Sequence, residues 1–221
     1  MPDHDRPSAK RPDHGKRPFR KPQRGGFRGG GHGGRPPAAA PADDGIVRLF
    51  GIHPVEAALD NPARRIGRLV ATDNAARRLA DALERRGARA EPTTPRDLDR
   101  LLGADTVHQG VLLETELLPE PELADLAEAA QSGGPIVILD QVTDPHNAGA
   151  VIRSAAVFGA AGLLMTRRHS PPLNGTLAKS ASGALEVVPI VLTQNLARAM
   201  AELKAQGVRL VGLDGEGDRL I

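Results

Sequence analysis

Apolar residues recur along this chain in short runs separated by stretches of helical spacing. Ile66 to Ala71, Val111 to Glu116, Ile136 to Leu139, Gly162 to Thr166, Val187 to Leu192 and Val208 to Leu213 are rich in Val, Ile and Leu. Runs this short, bounded by polar or turn residues, predict buried strands. Between them, Gly51 to Leu59 reads as a turn opening a short helix. Ala75 to Arg86 carries Leu79 and Leu83 four residues apart on one helical face, with Asn74 placed to cap it and Gly87 to stop it. Further helices are predicted at Leu98 to Leu102, Leu123 to Ala130, Asn147 to Phe158, around Gly175 to Ala181, and at Leu196 to Gln206.

This order predicts an α/β protein. Residues 46–118 form a small domain whose βαβ-like alternation suits a three-layer sandwich. Residues 119–134 form a linker punctuated by Pro119 and Pro121 and ended by Ser132-Gly133-Gly134. From Pro135 onward, strand and helix alternate regularly, which predicts a parallel sheet with right-handed crossovers. No internal repeat is visible.

Residues 1–45 break the pattern. They are rich in Pro, Gly and Arg and nearly free of aliphatic side chains, so they bury too little surface to offset ordering entropy, and a disordered tail is expected. Residues 1–42 hold ten Lys or Arg against three Asp, whereas the remainder holds 19 basic and 24 acidic residues. A basic tail on a mildly acidic body points to a polyanionic partner such as RNA. Within the tail, Arg24 to Gly34 (RGGFRGGGHGG) resembles the Arg-Gly-Gly segments of RNA-binding proteins. Arg24, Phe27 and Arg28 are suited to stacking on bases with little sequence preference. The competing reading is a solubilising extension.

Composition excludes several chemistries. The absence of Cys rules out disulfides and thiolate metal sites. The seven His lack zinc-site spacing, so no metal is expected. No phosphate-binding Walker sequence and no strand-linked GxGxxG is present. No apolar run approaches the roughly 18–20 residues of a membrane span. The charged N-terminus lacks a signal-peptide core. A cytoplasmic protein is the expectation.

The most informative stretch is residues 140–159, DQVTDPHNAGAVIRSAAVFG. It follows a strand ending at Leu139, and open α/β sheets place ligand chemistry at such C-terminal strand edges. Ala148, Val151, Ile152, Ala155 and Ala156 make an ordinary buried helical stripe. Arg153 lies about 140° from Ala148 at 100° per residue, off that stripe. Periodicity alone makes it a surface Arg, and Asn147 a plain helix cap.

The same stretch closely resembles the first motif of the SpoU (TrmH-like) family of RNA 2′-O-ribose methyltransferases, within the knotted SPOUT superfamily. The matching residues are Asp140, Asp144, Pro145, Asn147, Gly149, Arg153, Ala155, Phe158 and Gly159. Three other segments extend the resemblance. Lys179 to Glu186 (KSASGALE) resembles the family's Lys/Ser/Gly-Ala-x-Glu stretch. His108-Gln109-Gly110 and Gly51-Ile52-His53-Pro54-Val55 resemble the end and start of its RNA-binding substrate domain. The first two have bland readings too: a tight helix-to-strand turn for Lys179 to Glu186, and a turn glycine for His108-Gln109-Gly110.

The resemblance implies an S-adenosylmethionine-dependent RNA 2′-O-ribose methyltransferase, acting on a guanosine in large-subunit (23S) rRNA and working as a homodimer. It implies Arg153 and Asn147 as catalytic residues. Lys179, Ser180, His108 and Gln109 are implied RNA contacts. An Arg suits the task because a ribose hydroxyl must shed its proton as it attacks. A nearby guanidinium favours the developing alkoxide and holds the adjacent phosphate. Proton abstraction by Arg itself is disfavoured by a pKa above about 12.

In the family, a Gly-x-Glu-Gly loop and a Ser-Leu-Asn-x-Ser segment tie the trefoil knot, bind the cofactor and supply much of the dimer contact. Neither is in this sequence, and Asp214-Gly215-Glu216-Gly217 is a different polar turn. The expectation is therefore an incomplete SPOUT domain over residues 135–221, with cofactor-binding residues unknown. The alternatives are a non-catalytic RNA-binding protein and a degenerate product that folds poorly.

Overall fold

The computed structural model describes residues 45–212. The tail, with Arg24 and Arg28, lies outside the described residues, as do Leu213 and the Asp214-Gly215-Glu216-Gly217 sequence. The described residues belong to one compact unit.

The first sheet has four strands. Strand β1 (Ile46–Phe50) leads into helix α1 (Ile52–Asp60) and strand β2 (Ile66–Ala71). Helices α2 (Asp73–Arg78) and α3 (Ala80–Arg86), strand β3 (Glu91–Pro92), helix α4 (Pro95–Leu102) and strand β4 (Val111–Glu116) follow. The spatial order is β1-β4-β2-β3. β4 pairs antiparallel with both β1 and β2, while β2 and β3 are parallel. The βαβ alternation read from sequence therefore holds only for β2 to β3. β4 takes the centre because Val111, Leu112 and Leu113 are all buried, with one helical layer on each side. Leu112 and Val70 pack with Leu98 of α4, whereas Val111 and Leu113 face α1 and the rest of the molecule.

The second sheet has three parallel strands in the order β5-β6-β7. Helix α5 (Leu123–Gln131) precedes strand β5 (Ile136–Leu139); helix α6 (Pro145–Val157), strand β6 (Gly162–Thr166), helix α7 (Gly175–Ala181), a 3₁₀ turn (Ala184–Glu186), strand β7 (Ile190–Thr193) and helix α8 (Leu196–Ala205) follow. Period-two alternation sorts its side chains. Leu139, Leu163, Met165 and Ile190 point to the α6 and α7 side; Leu164 and Val191 point to α5 and α8.

The first of these cores is continuous with that of the first sheet. Val47, Val55, Leu113, Ile152, Leu163 and Leu177 belong to one buried cluster. Two small sheets thus share a single core, which suits their size, since short sheets alone bury too little surface for stability.

Several sequence expectations are corrected. The cap of α2 is Thr72, whose side chain accepts from Ala75 N–H, and not Asn74. The helix expected over 75–86 starts earlier and breaks at Leu79, which is fully buried with φ −98° and ψ 5°. Residues 187–189 are not strand: they follow the 3₁₀ turn over Ala184–Glu186, whose Glu186 carboxylate is buried against Arg64, and β7 begins at Ile190. Residues 208–212 form no strand among the described residues. β1 and β3 went unread: β1 directly abuts the turn that opens α1, and β3 is only two residues long.

Candidate functional site

Helix α6 is built to start abruptly. Asp144 caps it by accepting from His146 N–H at 3.0 Å, and Pro145 supplies the first helical residue, where no N–H is needed. The cap is therefore Asp144, and Asn147 sits in the first turn, exposed. Its side chain makes no hydrogen bond among the described residues, so the plain-cap explanation for Asn147 does not apply.

Arg153 lies two turns further along. It is exposed, as its place off the buried stripe requires. Its Nη1 nonetheless donates to the main-chain carbonyl of Ser180 on α7 at 2.5 Å. The approach of the two helices depends on Gly149. A Cβ there would stand 2.5 Å from Ser180 Cβ, 2.8 Å from Ser180 C and 2.9 Å from Ala181 N, all rigid neighbours. The motif glycine and the motif arginine, one turn apart, serve one contact: the first lets α7 in and the second grips it.

Ser180 is buried, and its hydroxyl lies 3.2 Å from His146 Nδ1. One residue therefore anchors two side chains of α6, the guanidinium through its carbonyl and the imidazole through its hydroxyl.

Lys179 points the other way, towards the first sheet. Its Nζ donates to Gln109 Oε1 at 2.7 Å, and the same oxygen accepts Ile52 N–H, at the start of α1, at 3.0 Å. Burial holds the Lys179 ammonium below its ordinary pKa. Three sequence segments singled out above, at Gly51, Gln109 and Lys179, thus meet at one seam. Gln109 reaches it with φ 55°, a left-handed conformation unusual outside glycine. Gln141 and Ser182 share that conformation, so three of the four such residues fall in motif segments. Backbone strain of this kind gathers where geometry is over-determined.

His108 has a different place. It is buried, its Nε2 is 3.1 Å from Asp99 Oδ1, and its Nδ1 accepts Gly110 N–H at 3.0 Å. Both ring nitrogens are engaged in holding the turn that presents Gln109.

Further along the seam lies a contact that sequence reasoning did not find. Arg64, between α1 and β2, forms a bidentate pair with Glu186: Nη2 to Oε1 at 2.6 Å and Nε to Oε2 at 3.1 Å. Both side chains are almost fully buried, at 5% and 3% exposure. Asn61 Nδ2 donates to Glu186 Oε2 at 2.9 Å, and Arg64 Nη1 to the Glu116 carbonyl at 2.7 Å. The 122 residues separating the partners leave no periodic signal.

The C-terminal edge of the second sheet has two open clefts, of about 350 and about 370 Å³. Arg167, Arg168 and Gln194 line one; Gln194, Asn195 and Arg198 line part of the other. None of the described residues is assigned to S-adenosylmethionine. Among them, no group of His, Asp and Glu is placed to hold a metal ion, and no helix is long and apolar enough to cross a membrane.

Comparisons with known proteins agree with this geometry. Residues 134–221 match the sequence model of the SpoU rRNA Methylase family. Residues 48–121 match the model described as RNA 2'-O ribose methyltransferase substrate binding. A protein of Xylella fastidiosa (strain 9a5c) named 23S rRNA (guanosine-2'-O-)-methyltransferase RlmB is 35% identical over 177 residues, covering 77% of this chain and 71% of that protein. A protein of the same name from Ralstonia nicotianae is 37% identical over 175 residues, covering 77% and 70%.

Among solved structures, the SpoU methyltransferase AviRb from Streptomyces viridochromogenes, in complex with AdoMet, superposes with a TM-score of 0.56 at 23% identity. The match covers 74% of this chain and 61% of AviRb. The AdoMet-bound rRNA methyltransferase from Sinorhizobium meliloti gives a TM-score of 0.58 at 23% identity, covering 73% and 59%. These two share the fold, and the chain spans about three fifths of their length. With motif, fold and relatives in agreement, the chain belongs to the SpoU family of RNA methyltransferases.

Proposed function

We propose that this protein acts in the 2′-O-methylation of a guanosine ribose in 23S rRNA, with S-adenosylmethionine as the methyl donor. The observation that carries the reading is Arg153. On the helix that follows β5, a guanidinium grips a neutral carbonyl and has no carboxylate partner among the described residues. Its charge is therefore available to a phosphate or a developing alkoxide. Asn147, exposed in the first turn of the same helix, is a second ligand for the ribose. The donor, when bound, supplies an electrophilic methyl group; the chain's own part is to orient the ribose and stabilise its oxygen. The names of the relatives support guanosine and 23S rRNA as the target.

On this reading Lys179, Ser180, Gln109 and His108 shape an RNA-facing seam. Lys179 and Gln109 are candidates for direct contact; Ser180 and His108 act from behind. Residues 46–118 form the substrate-binding domain, 119–134 the linker and 135–221 the methyltransferase domain, and the protein works as a cytoplasmic homodimer. Val157 and Phe158, both 80% exposed at the end of α6, supply apolar surface for such a partner. Arg24 and Arg28 in the basic tail add sequence-tolerant RNA contacts. Removing residues 1–42 should flatten the dependence of RNA affinity on salt, and an unchanged slope would exclude those contacts.

The direct test is methyl transfer to 23S rRNA from labelled S-adenosylmethionine, with nuclease digestion and mass spectrometry to detect 2′-O-methylguanosine. Arg153→Ala should lower the rate by about 10²–10³-fold, the cost of losing one oxyanion-stabilising group. A variant with the parent rate would remove Arg153 from the site.

A further inference from the structure

His146 has no part in the reading above, yet the structure treats it as carefully as Arg153. The two are seven residues apart on α6, close to two full turns, and so lie on the same face. Both are exposed, and both are tied to Ser180. The tie to His146 runs from its Nδ1 to the hydroxyl of a buried serine, which fixes the ring plane. Its Nε2 makes no hydrogen bond among the described residues. An imidazole anchored through one nitrogen with the other free, and a guanidinium bound to the same serine and without a carboxylate partner among the described residues, offer two points of attachment on one helix face. They suit a small hydroxyl adjacent to an anion. In RNA that pair is the ribose 2′-hydroxyl and its 3′-phosphate, and the hydroxyl is the group that distinguishes RNA from DNA.

We propose that His146, held by Ser180, hydrogen-bonds the ribose 2′-hydroxyl while Arg153 holds the adjacent phosphate, so that His146 gives the site its preference for RNA over DNA. This rests on the proposed RNA substrate but on no step of methyl transfer. Ser180 is then a positioning residue for both side chains. Its carbonyl serves Arg153 and its hydroxyl serves His146, which makes the two separable by mutation.

The probe is the dinucleotide guanylyl-(3′→5′)-uridine, compared with the analogue carrying 2′-deoxyguanosine. Binding to the 221-residue chain and its variants is measured by isothermal titration calorimetry, and at the His146 ring of the parent by NMR on histidine-labelled protein, without methyl donor. For the parent, the His146 ring resonances should shift and saturate with the ribonucleotide. The deoxy analogue should bind about five- to tenfold more weakly, the value of one hydrogen bond. His146→Ala should bind both equally. Ser180→Ala, which keeps the carbonyl that holds Arg153, should also lose the preference while retaining affinity for the deoxy compound.

A preference for the ribonucleotide that survives in His146→Ala would overturn the assignment to His146 and leave the RNA reading intact. Failure of the parent to bind either dinucleotide, with no shift at His146, would overturn both. Methyl transfer to 23S rRNA, measured separately, tells the failure of the enzyme reading from the failure of this one.

Discussion

Two arginines in this molecule meet the same short segment, α7 and its 3₁₀ turn, and they meet it in opposite ways. Arg64 is buried and grips the Glu186 carboxylate with two nitrogens. Arg153 is exposed and grips only the Ser180 carbonyl. The first has its charge cancelled and its donors shared with further acceptors, which makes it architecture. The second has its direction fixed and its charge left over, as the role proposed for it requires. What an arginine is paired with, more than how well it is held, tells whether it is available to a substrate.

The sharpest way to break that contrast is at Glu186. Glu186→Ala leaves Arg64 buried without its counter-charge and should cost about 3–5 kcal/mol of stability. Urea denaturation measures it, and a loss below about 1 kcal/mol would mean the pair is not desolvated. Replacing both partners with Met and Leu should be nearly neutral or stabilising, because the penalty lies in the orphaned charge. Arg153→Ala in the same assay should cost only about 1 kcal/mol, the value of one hydrogen bond to a main-chain carbonyl.

Gly149→Ala tests the geometry beneath Arg153. Overpacking against Ser180 costs about 1–3 kcal/mol, partly offset by about 1 kcal/mol of helix propensity. The larger effect should fall on methyl transfer, reduced about ten- to a hundredfold as the guanidinium is displaced. Parent-like transfer would show that the close approach of α6 and α7 is not what aims Arg153.

The smallest effect is expected at Lys179. Its folded pKa lies below the ordinary 10.5 through burial. Between those two values the unfolded chain binds more protons than the folded one, so stability should rise with pH across that alkaline window. In Lys179→Met the rise should be absent. An identical alkaline slope in both proteins would show that the Lys179 ammonium is not desolvated.

Much of this was legible in the sequence. The strands at 66–71, 111–116, 136–139 and 162–166 were read at their observed bounds, because each is a compact apolar run. The motif around Arg153 marked the right helix, and periodicity placed that arginine on its exposed side. What stayed hidden depends on distance along the chain. Ser180 lies 27 residues from Arg153, Gln109 lies 70 from Lys179, and Glu186 lies 122 from Arg64. No local pattern encodes such pairings. The break at Leu79 and the 3₁₀ turn at Glu186 were missed for a related reason: tertiary burial overrode local propensity. His146 went unnoticed because its partner is a hydroxyl contributed by another helix.

The shared core has one more consequence. Helix α7 packs on β1 from one side and α6 from the other; at Gly175 a Cβ would stand 2.0 Å from the Arg48 carbonyl. The carbonyl that aims Arg153 is thus in position only when both sheets have assembled around α7. The Arg153–Ser180 contact then forms in the same cooperative event as the shared core, and a half-folded molecule would carry the motif's letters without that contact.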